Sequence, residues 1–113
     1  MIKIAIPVHD GMLNAHFGHC EKFAIIDADE ASKTISQTSE LEAPPHEPGL
    51  LPKFLGERGI NLIIAGGMGG RAQSLFAERN IKVIYGAPCD TPENLVKSFL
   101  DGKLVTGVNA CDH

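Results

Sequence analysis

Between positions 9 and 20 the chain carries three imidazoles and a thiol, on His9, His16, His19 and Cys20. Imidazole nitrogen and thiolate sulfur are the donors that borderline and soft metals prefer, among them zinc, Cu(I) and iron–sulfur clusters. His16, His19 and Cys20 form a His-x-x-His-Cys string with Gly18 inside it. A loop with that glycine can bend so that two or three donors meet at one point. The string is no standard zinc spacing, and the same residues also read as surface histidines beside a half-buried thiol. A second nitrogen and sulfur pair, Cys111 and His113, closes the chain, although ligands on a terminus carry an ordering cost. Cys89 is a further soft donor. Its plainer reading is a small residue ahead of a helix start.

The run Gly66-Gly67-Met68-Gly69-Gly70-Arg71 is the second candidate. Read from Gly67 it matches G-x-G-x-x-A, and free backbone N–H groups at a helix start attract anions. A nucleotide phosphate or an anionic metal–sulfide cluster would both suit such a loop and Arg71. Close packing of helix on strand is the structural alternative. Dinucleotide folds place that fingerprint after their first strand, and no Lys-Ser or Lys-Thr follows here as in nucleoside-triphosphate loops. Nucleophilic catalysis fits poorly, because the adjacent His19 and Cys20 point apart on an extended chain. Asp10, Asp27 and Asp29 share no strand face that would hold two metal ions. The expectation is a binding protein, not an enzyme.

The elements that position these residues follow from periodicity. Ile2, Ile4 and Ile6 alternate with Lys3, Ala5 and Pro7 in the period of a strand. Positions 8–21 show no sustained period and read as a long loop. A nearly all-apolar second strand spans 22–28, and a polar, β-branched third strand, 33–38, suits a sheet edge. Three prolines between 43 and 49 mark a loop. A helix follows from Leu50, with Leu50 over Phe54 and Leu51 over Leu55, ended by Gly59. The strand 60–65 runs into the glycine loop and then a helix that turns Ala72, Leu75 and Phe76 to the core. A last strand spans 81–85. Thr91 and Pro92 open a final helix whose buried stripe is Leu95, Val96, Phe99 and Leu100, closed by Gly102.

This order, β-β-β-α-β-α-β-α, predicts one mixed sheet with helices over its faces, an α/β domain spanning residues 1–113. Ligands in such sheets bind beyond the carboxyl ends of the parallel strands. If the first and fourth strands are neighbours, the histidine loop and the glycine loop meet at one edge. The composition excludes other classes. A formal charge of −4 argues against a phosphate-backbone binder. The first apolar run stops at Pro7, too short for a signal segment or a membrane span, so a cytoplasmic protein is expected. Three cysteines build no disulfide framework.

The string Ala15-His16-Phe17-Gly18-His19-Cys20-Glu21-Lys22-Phe23 after an Ile-rich strand, with Ala65-Gly66-Gly67-Met68-Gly69-Gly70-Arg71-Ala72, resembles the dinitrogenase iron–molybdenum cofactor-binding family. NifX, NafY and the C-terminal domain of NifB belong to that family. The resemblance covers essentially the whole chain. It implies an RNase H-like fold, with a five-stranded mixed sheet whose strands, counted along the chain, lie in the order 3-2-1-4-5. It also implies binding or carrying of an iron–sulfur or molybdenum-containing cluster or its precursor. By position, His16 matches the family's His-Phe-Gly histidine and Gly66, Gly67, Met68, Gly69 and Gly70 match its glycine loop. His19, Cys20, Cys111 and His113 lie outside the shared motif and rest on donor chemistry alone. The radical-SAM cysteine triad of full-length NifB is absent, so cluster-building chemistry is not implied. A relative that carries a mixed molybdenum–copper sulfide cluster keeps other metals open.

Taken together, these residues predict a small carrier protein in metallocofactor assembly, such as that of nitrogenase. Its partners would be assembly proteins or a cluster-accepting apo-enzyme, and its state a monomer or weak homodimer. Simple zinc or copper binding by His16, His19, Cys20 and the tail donors is one alternative. An anion- or nucleotide-binding regulatory module using the Gly66–Gly70 loop and Arg71 is another.

Overall fold

Apolar residues at both parities, Ile4, Ile6 and Val8 on one face and Ala5 on the other, bury the first strand on both sides, and the rest of the fold is arranged around it. The computed structural model describes residues 2–9, 12–13, 22–42, 50–66, 70–87 and 90–104, with the backbone alone for His9, Leu50, Leu51 and Ala72. The strands are β1 (Ile2–His9), β2 (Met12–Leu13), β3 (Lys22–Asp29), β4 (Thr34–Glu42), β5 (Leu62–Ile64) and β6 (Lys82–Ile84). The helices are α1 (Leu50–Gly56), α2 (Gly70–Glu78) and α3 (Pro92–Leu100). The sheet runs β4-β3-β1-β5-β6, with β2 paired to β1 off this path. β3 is antiparallel to β1 and β4, whereas β5 is parallel to β1 and β6.

The period of two sorts β1 between two cores. Ile4, Ile6 and Val8 join Ala24, Ile26, Leu62 and Ile64 beneath Leu95, Val96 and Leu100 of α3. Ala5 joins Phe23, Ile63 and Ala65 beneath Leu55 of α1 and Phe76 of α2. Thus α3 covers one face and α1 with α2 the other. Of the helix residues expected to face the core, Leu55 and Phe76 are fully buried and Leu75, Phe54 and Phe99 partly so, while the side chains of Leu50, Leu51 and Ala72 lie outside those described. The Thr91 side chain accepts from Asn94 N–H at 3.4 Å to cap α3, Pro92 sits in its first turn, and Glu93 follows. Gly59 and Gly102 take left-handed φ of 76° and 71° after α1 and α3.

Three expectations need correction. The sheet has six strands, not five, because 8–21 is not wholly a loop: β1 runs on through Pro7 to His9, and β2 pairs back on it. Pro7 is tolerated for a positional reason. Lys3 exchanges hydrogen bonds with Asn61 on the β5 side, so the odd residues of β1 point their backbone groups that way. Pro7 falls where the β5 ladder, which reaches Ala5, has ended and the β2 ladder, which begins at Val8, has not started. Its missing N–H thus ends the β5 pairing without ending the strand, because β2 takes over on the same side. The third expected strand, 33–38, is longer: β4 continues to Glu42, held in register by Leu41 opposite Phe23 and Glu42 opposite Lys22. The fourth and fifth expected strands are shorter, 62–64 and 82–84.

Phe76 is the largest side chain that α2 buries at 0% exposure. Phe76→Ala is expected to cost about 3–5 kcal/mol in chemical denaturation. A loss under about 1 kcal/mol would mean that α2 is not packed as described.

Candidate functional site

The ends of β1, β5 and β6 point the same way, so their carboxyl ends form one edge of the sheet. Val8 is the centre of this edge. Lys22, the first residue of β3, lies opposite Val8 on one side, and Leu13, the last of β2, lies opposite it on the other. The segment 14–21 therefore leaves from and returns to the two flanks of one residue. Leu13 is held there twice: its side chain is buried in the core under α3, and its N–H donates to the carbonyl of Asp90 at 3.0 Å.

That carbonyl belongs to a hydrogen-bonded corner. Asp90 Oδ1 accepts from Asn94 Nδ2 at 3.1 Å and from Thr91 N–H at 2.7 Å. The Asn94 amide and the Thr91 N–H hold its carboxyl below the usual carboxylate range. The backbone of Asp90 fixes β2 while its side chain fixes the start of α3. Sequence reasoning recognised the Thr91-Pro92 start but missed this latch and β2. The available signal was an Asp immediately before the cap, with Asn94 four residues on.

The glycine run starts at the same edge. Ala65 N–H donates to Ile84 O at 2.8 Å, Gly86 N–H to Gly66 O at 3.0 Å and Ala87 N–H to Ala65 O at 3.2 Å. The β5–β6 ladder thus continues past its strands and anchors the chain up to Gly66, which is buried. Gly86 has φ of 77°, a conformation that side chains rarely adopt. Because β5 is the parallel neighbour of β1, the condition set by the sequence is met: the chain leaving β1 and the chain leaving β5 emerge side by side. Gly70 opens α2 and is exposed, as is Arg71, and α2 carries no acid in its first turn. A Cβ on Gly70 would meet nothing within 4 Å, so close packing is not the reason for glycine at that position.

Of the candidate site residues, Gly66, Gly70 and Arg71 are placed at this edge. His16, His19, Cys20, Gly67, Met68, Gly69, Cys89, Cys111 and His113 lie outside the described residues, as does His46. Among the described residues no three His, Cys, Asp or Glu side chains come together as a metal-binding group. No helix among them is long and apolar enough to cross a membrane.

Comparison with known proteins gives this frame a family. Residues 1–102 match the family described as dinitrogenase iron-molybdenum cofactor, and the chain belongs to that family. An uncharacterized protein of Methanocaldococcus jannaschii, MJ0580, is 32% identical over 107 residues, covering 92% of this chain and 90% of its own. The crystal structure of PH0822 superposes with a TM-score of 0.88 at 26% identity, over 99% of this chain and 100% of that one. The apo form of the orange protein from Desulfovibrio gigas has the same fold, with a TM-score of 0.73 at 23% identity over 96% and 95% of the two chains.

Two outcomes check this geometry. Gly70→Ala is expected to keep or raise stability by up to about 1 kcal/mol in thermal unfolding, since an open helix position favours alanine; a clear loss would restore the packing explanation. The lowered pKa of Asp90 fixes a sign. Its stabilisation is fully present above the ordinary carboxylate range and is lost as pH falls through the lowered value. Asp90→Asn, which has no proton to gain there, is expected to flatten the acid limb of the melting temperature against pH. An unchanged acid limb would remove Asp90 from that role.

Proposed function

We propose that this chain is a small non-catalytic carrier of an iron–sulfur or molybdenum-containing cluster or its precursor, which it holds at the carboxyl edge of β1, β5 and β6. The observation that carries this reading is the convergence at that edge. Leu13 and Lys22, the described residues on either side of the segment with His16, His19 and Cys20, both lie opposite Val8, and the glycine run follows the adjacent strand. Membership of the dinitrogenase iron-molybdenum cofactor family supports cluster cargo over a single metal ion. The orange protein, described in its apo form, is a structural neighbour consistent with such a role.

The donor chemistry suits the cargo. His16 is the first ligand in this reading, with His19 and Cys20 on the same segment and Cys111 and His113 as further nitrogen and sulfur donors. Sulfide-rich clusters are anionic. The start of α2 offers backbone N–H groups, the positive end of its dipole and the Arg71 guanidinium, with no acid in the first turn to oppose them. Gly67, Met68 and Gly69 would add backbone N–H groups beside Gly66 and Gly70. Nothing in this set requires bond breaking, which is why a carrier is preferred to an enzyme. The partners in this reading are a cluster-supplying assembly protein and a cluster-accepting apo-enzyme, in the cytoplasm. The β4-β3-β1-β5-β6 path supports reading residues 1–113 as one RNase H-like domain, with β2 as an addition.

Anaerobic titration with a synthetic molybdenum–iron–sulfur cluster, followed by visible absorbance, tests the reading. Wild type is expected to bind near one equivalent, His16→Ala to lose most of the affinity, and Arg71→Glu to bind about tenfold more weakly. Absence of binding by wild type, or undiminished binding by His16→Ala, contradicts it. Native mass spectrometry showing one zinc that is lost with Cys20→Ser would favour simple metal binding instead.

A further inference from the structure

The two residues of β2 have opposite fates. Leu13 is buried in the core under α3, whereas Met12 is 39% exposed. Among the described residues, Met12 and Tyr85 are the large hydrophobic side chains left open to solvent. The place of β2 is secured by Leu13, through its core contacts and its N–H bond to the Asp90 carbonyl. Folding therefore makes little use of the Met12 thioether. Methionine is also a poor choice for an exposed strand position, where β-branched and aromatic side chains gain more.

What the register gives Met12 is a partner. Met12 lies directly opposite His9 across the antiparallel β1–β2 pair. Residues opposed in this way share one face of the sheet, with Cβ atoms about 4.5–5.5 Å apart. Val8 and Leu13, the neighbouring pair, both belong to the core under α3, so His9 and Met12 fall on the other face. Only Asp10-Gly11 separates the two in sequence, and Asp-Gly is a dipeptide that two-residue hairpin connections favour. A residue with an imidazole and a residue with a thioether are thus paired where β1 ends.

We infer that His9 and Met12 form a site for a soft monovalent cation, Cu(I), distinct from the His16 segment and independent of the cluster reading. The donor types select the ion. Thioether sulfur is soft and neutral, which favours Cu(I) over the harder divalent cations, and imidazole binds copper as well as zinc. Zinc in structural protein sites takes four ligands, whereas this pair supplies two. Cu(I) carries a single charge and a filled d shell, so two neutral donors in line satisfy it. Met12 is open to solvent, and an ion reaches it without opening the core.

Thiolates bind Cu(I) more tightly than thioethers, so the test removes them. The full chain with Cys20, Cys89 and Cys111 replaced by serine is checked against wild type by circular dichroism and titrated anaerobically with Cu(I) alone. Methionine methyl NMR, with Met12→Leu for assignment, is expected to show the Met12 resonance shifting and saturating near one equivalent while Met1 and Met68 stay in place. Competition with a chromophoric Cu(I) chelator should show Met12→Leu and His9→Ala each binding about tenfold more weakly, and the double variant little weaker than either. Met12→Leu conserves size and apolarity, so a merely structural role would leave the affinity unchanged. Wild type alkylated at its thiols after folding gives the same methyl readout should the serine variant not fold. A Met12 methyl that Cu(I) does not move, a Met12 shift that survives His9→Ala, or Met12→Leu binding as tightly as its parent overturns the inference. None of these outcomes depends on whether the chain takes up a cluster.

Discussion

The pairing of Val8 on both sides is the constraint on which the candidate site depends. One residue at the end of β1 is opposed by Lys22 on one flank and Leu13 on the other, so the segment between them has both its ends fixed within the width of a strand. Leu13 keeps the second flank in place through a buried side chain and a backbone bond to Asp90. The Asp90 carboxylate in turn secures the first turn of α3 through Thr91 and Asn94. A short strand, one aspartate and a helix cap are therefore linked at the point where the chain leaves β2.

The parallel half of the sheet supplies the complement. Because β5 lies beside β1 and runs with it, the chain that leads to α2 leaves the sheet at the edge where β1 ends. Extension of the β5–β6 ladder through Ala65, Gly86 and Ala87 holds Gly66 in the core while Gly70 and Arg71 remain exposed. In the proposed reading, one side of the edge supplies soft donors for metals, and the other N–H groups and a cation for anions. A sulfide-bearing cluster has both kinds of surface, whereas a bare metal ion or a nucleotide has one.

The layered arrangement, the period of two in β1 and the helix caps were legible in the sequence because each is written in local spacing. Ile2, Ile4 and Ile6 show the period of two, and Thr91-Pro92-Glu93 shows a helix start. What escaped was set by pairing at a distance. Pro7 looks like a strand end to local rules, yet it ends only the pairing with β5, and β2 pairs with β1 from Val8 onward. β2 is two residues long, below any periodic signal, and exists because Leu13 has a core to enter and Asp90 a carbonyl to offer. β4 reads as ending at Thr38 since Ser39-Glu40-Leu41-Glu42 looks like a polar loop, but β3 provides partners through Lys22. For the site, residue chemistry singled out the His16 segment, the Gly66–Gly70 run with Arg71 and the tail donors; of these the topology brings together only the strands that precede the first two.

The central claim is that this edge carries a cluster with metal and inorganic sulfide together. The most direct measurement is metal and acid-labile sulfide analysis of the protein purified anaerobically from its own cells. The account predicts iron or molybdenum in company with sulfide, at near one cluster per chain, and its disappearance from a His16→Ala variant purified in the same way. Protein that carries a single zinc or copper without sulfide, or a His16→Ala variant that keeps the full complement, would contradict it.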